Sequence, residues 1–365
     1  MTKTSEKVRR KLALVEAPLK QFNPEMLILA REFHGMPVND LATHLGVTPG
    51  FVCHLESGIK EPSEAIMERL VTVLKFPQQH YYQSGRRDSA HASFYRKRVV
   101  ISPVILRQST ARMTEIKRNI EKLLSEVESE SVRFPFLDPE ESPGGVKEIA
   151  QKMRGHLRIA PGPIRDLTTI LEEAGAIIVP FDFGTRKIDA CSEWIGGHPV
   201  IFINKFVPAS RQRFTLAHEL GHIVMHKIIM EECEEQADQF AAEFTLPEKE
   251  IKPELAPVNL DRLARLKLKW KSSMGAILYR AADLGVITER TSRYHWMLMR
   301  RYGYHEVEPH EDLMAVEKPT ALRELVEAFK DSMKMSRQEL IEALHIYEAF
   351  FDEIYSDQPK LRIVE

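Results

Sequence analysis

Long apolar runs are what this chain most plainly lacks. Nowhere in its 365 residues does an uninterrupted hydrophobic stretch approach the ~18 needed to cross a bilayer, so no membrane association is expected. The opening MTKTSEKVRRKLALVEAPLK has neither the apolar stretch nor the small-residue cleavage site of a signal peptide, and a cytoplasmic protein is the expectation. Cysteine is scarce. Cys53, Cys191 and Cys233 stand alone, without C-x-x-C spacing, which argues against a disulfide framework and against a cysteine-based metal knuckle. Internal repeats and low-complexity tracts are missing too, which excludes a solenoid. What is present is 43% hydrophobic and 28% charged residues, enough for two or three small domains with proper cores.

Charge is uneven along the chain. Residues 1–100 hold 15 Lys and Arg against 10 Asp and Glu, a net +5, so that the total of −2 leaves −7 for the remainder. A basic front on an acidic body is compatible with phosphate contacts, although solvated charge is the commoner cause.

Within that front, apolar residues at Leu27, Leu41, Ala42, Leu45, Val47, Val52, Leu55, Ile66, Leu70 and Leu74 keep helical spacing in short blocks broken by Gly35, Gly46 and Gly58. Four or five short helices are expected. The piece VNDLATHLGVTPGFVCHLESG, with small Ala42 where two helices would cross, Gly46 at the turn and Pro62 beyond the Glu56-Ser57-Gly58 exit, resembles the helix-turn-helix of the phage-repressor-like (XRE) family over about residues 24–76. The resemblance implies a second helix lying in the major groove of DNA, with Thr48, Pro49, Gly50, Phe51 and His54 as the candidate DNA-contacting residues. Those residues include no Arg, Lys, Gln or Asn for bidentate base contacts, so docking of a protein partner is the competing use.

Beyond it, YYQSGRRDSAHASFYRKRVVISP is polar and basic and reads as a connector. Arg96, Lys97 and Arg98 beside Phe94 and Tyr95 could touch phosphates, but a solvated turn anchored by its aromatics is the plainer reading. Apolar residues from Ile105 to Val127 follow a three-four rhythm, giving one long amphipathic helix that Pro135, Pro139 and Pro143 close off. Helices are expected at roughly 145–155 and 163–174, the second started by Pro163 and stopped by Gly175. Three strand-like runs follow, AIIVPF, ACSEWI and PVIFIN, the last two joined by Gly196-Gly197. Pro180 in the first places that strand at an edge or ends it.

The next helix, RQRFTLAHELGHIVMHK, which Ser210 can cap, spells His-Glu-x-x-His with His218, Glu219 and His222. Residues four apart share a helix face, so both imidazoles can reach one metal at about 2.0–2.1 Å, with Glu219 beside it as a base. Ile228 and Met225 stand where a metzincin needs histidine and glycine, which excludes that class. His226 is two turns from His218, about 12 Å along the axis, and reads as a surface histidine or one supporting a ligand. In EECEEQADQFAAEFTLP, Glu234 and Asp238 are one turn apart, like the Glu-x-x-x-Asp of gluzincins, in which the Glu is the third ligand and the Asp orients a histidine. Glu235 is the rival ligand.

RFTLAHELGHIVMH, EEQADQFAAEFTLP, PVIFIN and LKLKWKSSMGAILYRAADLG together resemble the ImmA/IrrE family of metallopeptidases over about residues 145–310. That resemblance implies an α+β zinc-peptidase-like core, working with Zn2+ or sometimes Mn2+, that cleaves or inactivates a helix-turn-helix repressor. Asp238 stands where the family often has Asn. On this reading His218, His222 and Glu234 hold the metal and leave a position for water, Glu219 removes its proton, and Asp238 supports a ligand; the alternative is a DNA-binding regulator or antitoxin-like protein whose metal domain senses or scaffolds. Val200 to Asn204 is the best candidate for an exposed edge holding substrate, with a covered core strand as the competing reading.

In chain order the expected organisation is a flexible tail over 1–22, a helix-turn-helix domain over 23–80, linker and long helix over 81–140, the peptidase-like domain over 141–255 and a mainly helical region over 256–365. In that last region TALRELVEAFKDSMKMSRQELIEALHIYEAFFDEIYSDQ reads as two amphipathic helices, packed on the body or serving a homodimer.

Overall fold

A computed structural model describes residues 21–85, 101–127, 132–227 and 232–356. The chain is α+β: the described residues form many helices and one three-stranded sheet. The expected tail and the basic cluster at Arg96, Lys97 and Arg98 lie outside the described residues. Contacts divide the chain into two compact units that do not run in chain order. One takes the described residues up to 127, together with 183–187 and those from 322 on; the other takes the described residues of 130–182 and 188–321.

The first unit opens with α1 (Pro24–Phe33), α2 (Val38–Leu45), α3 (Pro49–Glu56) and α4 (Glu64–Leu74). Gly46, at φ +65°, ends α2 in the left-handed region where a side chain would be strained, and Thr48 Oγ1 then accepts the Phe51 N–H at 3.3 Å to start α3. That three-residue turn lets α2 and α3 pack through buried Ala42, Leu45, Val52 and Leu55. Arg31 Nε donates to Glu56 Oε1 at 2.5 Å, tying α1 to the end of α3. Helix α5 (Pro103–Glu126) is the long amphipathic helix.

The tail holds three helices, not the expected two: α14 (Ala321–Met333), α15 (Arg337–Leu344) and α16 (Glu348–Tyr355). Ser336 and Glu339 form a reciprocal cap that starts α15, and His345 at φ +55° stops it. Apolar periodicity runs through both breaks, which is why spacing alone misses them. These helices close the core of the first unit: the Phe350 ring meets Phe33 edge-on at 4.8 Å, and Arg112 Nη2 donates to Glu353 at 2.6 Å.

In the second unit α6 (Gly145–His156) and α7 (Leu167–Glu173) precede β1 (Ile177–Phe181), β2 (Ala190–Ile195) and β3 (His198–Asn204). Helix α7 starts four residues after Pro163, because Asp166 supplies the cap by accepting the Thr169 N–H at 3.0 Å. The strand order is β1-β3-β2, β1 parallel to β3 and β2 antiparallel to it. Pro180 therefore lies in an edge strand, as its missing N–H requires. Val200 to Asn204, in contrast, form the central strand, buried at every position and paired on both sides. This overturns the exposed-edge expectation: an unbroken apolar run fits a strand covered on both faces. Helices α8 (Ala209–Met225) and α9 (Glu232–Thr245) follow, then α10 (Glu248–Leu255), α11 (Leu260–Trp270), α12 (Met274–Asp283) and α13 (Glu289–Arg301).

Ile178, Ile201 and Ile203 of the sheet, Leu216, Leu220 and Val224 of α8, Phe240 and Phe244 of α9, and Ile149 and Met153 of α6 share one buried core. Ser210 does not cap α8. Its N–H and Oγ donate to Glu311 at 3.0 and 2.8 Å, and Pro208 holds the cap position without a side-chain hydrogen bond.

Candidate metal centre

The site is built where α9 crosses α8, and Gly221 is what allows the crossing. A Cβ on Gly221 would stand 3.2 Å from the Phe240 ring and 3.3 Å from the Ala237 backbone, so a side chain here would push the two helices a few tenths of an ångström apart. One turn of α8 to either side of that contact carries the site residues. Burial of the Leu220–Phe240 side of the crossing leaves the histidine face turned to α9.

His218 and His222 present Nε2 atoms 3.1 Å apart. Glu234 on α9 completes a triangle, with Oε1 3.3 Å from His222 Nε2 and Oε2 3.6 Å from His218 Nε2. Ligand bonds of about 2.0–2.2 Å in a tetrahedral arrangement imply ligand-to-ligand edges of about 3.3–3.6 Å. The two distances to Glu234 fall on that edge, and the separation of the two imidazole nitrogens is a little shorter. Glu234 Oε1 is moreover buried without a hydrogen-bond partner, an arrangement a buried carboxylate adopts when a cation is its partner. Glu235, the rival, is exposed and instead accepts from Gln239 Nε2 at 3.2 Å; 100° further round the helix, it is carried off the site.

Each histidine is held from behind. His218 Nδ1 donates to Asp238 Oδ1 at 2.8 Å, the support that the Glu-x-x-x-Asp spacing anticipates. His222 Nδ1 lies 3.0 Å from His226 Nδ1, whose Nε2 lies 2.9 Å from Gln236 Oε1. With His222 offering Nε2 to the site, one set of tautomers satisfies this chain: His222 Nδ1–H donates to His226, and His226 Nε2–H donates to Gln236. His226 is thus the support of His222. Its partner Gln236 carried no signal in the sequence beyond lying on the acidic helix.

The electrostatics follow from these contacts. Burial opposes a charge on His218, but Asp238 and Glu234 outweigh it and raise its pKa to about 9. Burial likewise pushes the Glu234 carboxyl up, and the facing imidazoles of His218 and His222 more than reverse this, holding it well below the carboxylate range. These contacts favour a proton on His218, and a divalent cation bound here would displace it.

Glu219 is buried beside His218, and its Oε2 accepts from Ser192 Oγ at 2.6 Å. Ser192 sits in the middle of β2, facing Ile201 of β3. The motif marks Glu219; no spacing rule marks Ser192, because only the sheet register brings it there.

Thr48, Pro49 and Gly50 lie exposed at the start of α3 and His54 lies exposed in its last turn, while Phe51 is partly covered under Lys60 Nζ, 5.2 Å from its ring centre. The described residues 21–85 carry four Lys and Arg against seven Asp and Glu, so this segment is itself acidic.

Residues 171–282 match the family model described as Peptidase_M78, the IrrE N-terminal-like domain. The match supports a metallopeptidase-type domain. It spans β1 to α12 and contains the motif, the crossing of α8 and α9, and every residue placed in the centre above. Such a family implies a divalent metal, and His218, His222 and Glu234 are the one cluster able to hold it among the described residues. No curated protein shows a significant match to the chain. Among the described residues no helix is long and apolar enough to cross a membrane.

Proposed function

We propose that this protein is a metal-dependent endopeptidase whose substrate is another protein, a helix-turn-helix repressor that it cleaves or otherwise inactivates. The observation that carries the peptidase reading is the triangle of His218, His222 and Glu234 with Glu219 alongside. His218, His222 and Glu234 would hold the metal, zinc by their donor set and manganese as the second choice. Bound there, a divalent ion supplies a Lewis acid that polarises a peptide carbonyl and acidifies water. Glu219 is the base that takes the proton from water and returns it to the leaving amine. Ser192 holds the Glu219 carboxylate by its Oε2 and fixes its direction. The outer side of β2, not β3, is the edge on which an extended peptide can add main-chain hydrogen bonds, since among the described residues β2 pairs only with β3, and it carries Ser192 to the base.

The repressor as target rests on the family resemblance and on the front domain, which suits docking of a partner better than base reading. An acidic segment whose presumed reading helix lacks Arg, Lys, Asn and Gln gives the regulator alternative no specific support.

The test incubates the protein with Zn2+ or Mn2+ and the repressor encoded nearest its gene, then identifies fragments by mass spectrometry. Specific fragments that vanish with Glu219→Gln support the proposal. An intact repressor with either metal, while metal is bound stoichiometrically, sinks the substrate assignment; undiminished cutting by Glu219→Gln sinks the base assignment.

A further inference from the structure

The basic surface that faces solvent in the described part of this protein is not on the helix-turn-helix front. It lies on α11, α12 and α13, beyond the metal centre. Residues 257–302 hold ten Lys and Arg against three Asp and Glu, a net +7 inside a chain of −2. Much of that charge is engaged internally. Lys267 is buried against Glu308 and Glu311, Arg280 against Glu243, and Lys269 pairs with Glu254 at 2.7 Å. Arg262 and Lys271 donate to backbone carbonyls. Arg293 pairs with Glu289 at 2.8 Å on the open surface, whereas Arg290, Arg300 and Arg301 are exposed and make no ion pair among the described residues.

All four of these arginines are on α13. At 100° per residue, Arg290, Arg293, Arg300 and Arg301 fall on one side of the helix, with Tyr294 and Met297 between them, 53% and 57% exposed. Ser292, His295 and Met299 form the buried side. Trp296 packs its ring edge over Gly275, where a Cβ would meet it at 3.0 Å, which fixes α13 against the start of α12. The N-terminus of α12 is closed to anions: Glu308 accepts the N–H groups of Met274 and Gly275 at 2.8 and 3.1 Å. Glu311 and Glu317 in the same following segment are likewise turned inward, onto Lys267 and Arg213. Glu308, Glu311 and Glu317 are therefore engaged elsewhere, and on α13 itself Glu289 pairs with Arg293, which leaves Arg290, Arg300 and Arg301 without an ion pair among the described residues.

We propose that the outward face of α13 binds duplex DNA. Arg290 and Arg301 are eleven residues apart, about 16 Å along a rigid convex helix, which lets guanidinium groups reach phosphates on both sides of a major groove about 12 Å wide. Arginine forks match phosphate oxygens, and Tyr294 and Met297 supply apolar contact between them. Charge complementarity selects the partner: a polyanion answers four clustered arginines, and a groove answers a convex helix. The proposal is independent of peptide hydrolysis.

The experiment measures anisotropy of a labelled mixed-sequence duplex two helical turns long, with the full chain, across about 50 to 200 mM salt. Arg290→Gln/Arg300→Gln/Arg301→Gln should weaken binding at least tenfold and flatten the slope of log K against log salt by about 2–3, since each phosphate contact contributes about 0.9. The matching Lys triple variant should retain most of the slope, because it keeps the charge. Arg96→Gln/Lys97→Gln/Arg98→Gln tests the other basic cluster and should leave the α13-dependent part intact. The proposal is overturned if the α13 Gln variant, with unchanged circular dichroism and metal content, binds as the unaltered protein does. It is equally overturned if single strands bind more tightly than the duplex, or if vesicles of phosphatidylcholine and phosphatidylserine in equal parts are bound while the duplex is not.

Discussion

Among the described residues, two buried places put histidine beside a carboxylate, and they behave in opposite ways. In the second unit His218 meets Asp238 at 2.8 Å and Glu234 at 3.6 Å, and its pKa rises to about 9. In the first unit His80 and Glu115 are fully buried 3.8 Å apart, His80 Nε2 and Glu115 Oε2 have no hydrogen-bond partner, and burial drives the histidine down to about 3 and the acid up to about 7. The residue types are the same; contact geometry separates them. Without a hydrogen bond between the two, desolvation wins and both groups are driven toward their neutral forms. With two carboxylates in reach the charged forms win, and the place is ready to exchange its proton for a cation. Proximity of ligand-type residues is therefore poor evidence for a site; directed contact is better.

The hardest test of that contrast is His222→Ala. Stoichiometric metal should be lost from the second unit, read by elemental analysis after dialysis, while a His80→Ala variant keeps its metal. Retained metal in His222→Ala would break the ligand assignment. Next in size, Asp238→Ala removes support rather than a ligand, and chelator competition should show metal affinity lower by about 10–100-fold. Gly221→Ala probes the crossing itself. Its methyl must push Phe240 or the Ala237 backbone away, which should cost about 1–3 kcal/mol in chemical unfolding and weaken metal binding in the same variant. An alanine tolerated without either effect would mean that α8 and α9 can separate freely.

The smallest effect concerns Glu115 and is one of pH. Its folded pKa, near 7 and above the unfolded value, means that the folded protein binds a proton that the unfolded chain has released. Stability from this group is thus fullest below the unfolded pKa of about 4.5 and falls as pH rises toward 7. Glu115→Gln cannot ionise, so relative to the unaltered protein it should gain stability between pH 5 and pH 7, by about 1–3 kcal/mol at most. Urea denaturation at both pH values reads the difference. A gain that shrinks as pH rises would reverse the sign and show Glu115 charged and paired.

What could be read in advance follows from the range of the interactions. His218, Glu219 and His222 are fixed by one helix, so spacing alone places them, and Glu234 with Asp238 is fixed by a second helix in the same way. Pro180 announced an edge because a missing donor is a local fact. The neighbours that finish the centre are different: Ser192 arrives through a strand register and Gln236 through the angle of two helices, neither of which leaves a pattern in sequence. The central position of Val200 to Asn204 is also non-local, since a strand covered on two sides and an edge strand can share one apolar run. In the tail, local periodicity concealed the breaks at Ser336 and His345, and only the paired cap and a left-handed residue reveal them.

The discontinuity of the first unit has a temporal consequence. Phe33 and Phe350 are partners separated by more than three hundred residues, and everything that builds the metal centre is encoded between them. On a ribosome the centre can form from chain already synthesised, whereas the front must wait with an open apolar flank until the last helices emerge. A nascent chain stalled after residue 321 should therefore hold a metal-competent middle and an unfinished front that is the natural client of chaperones.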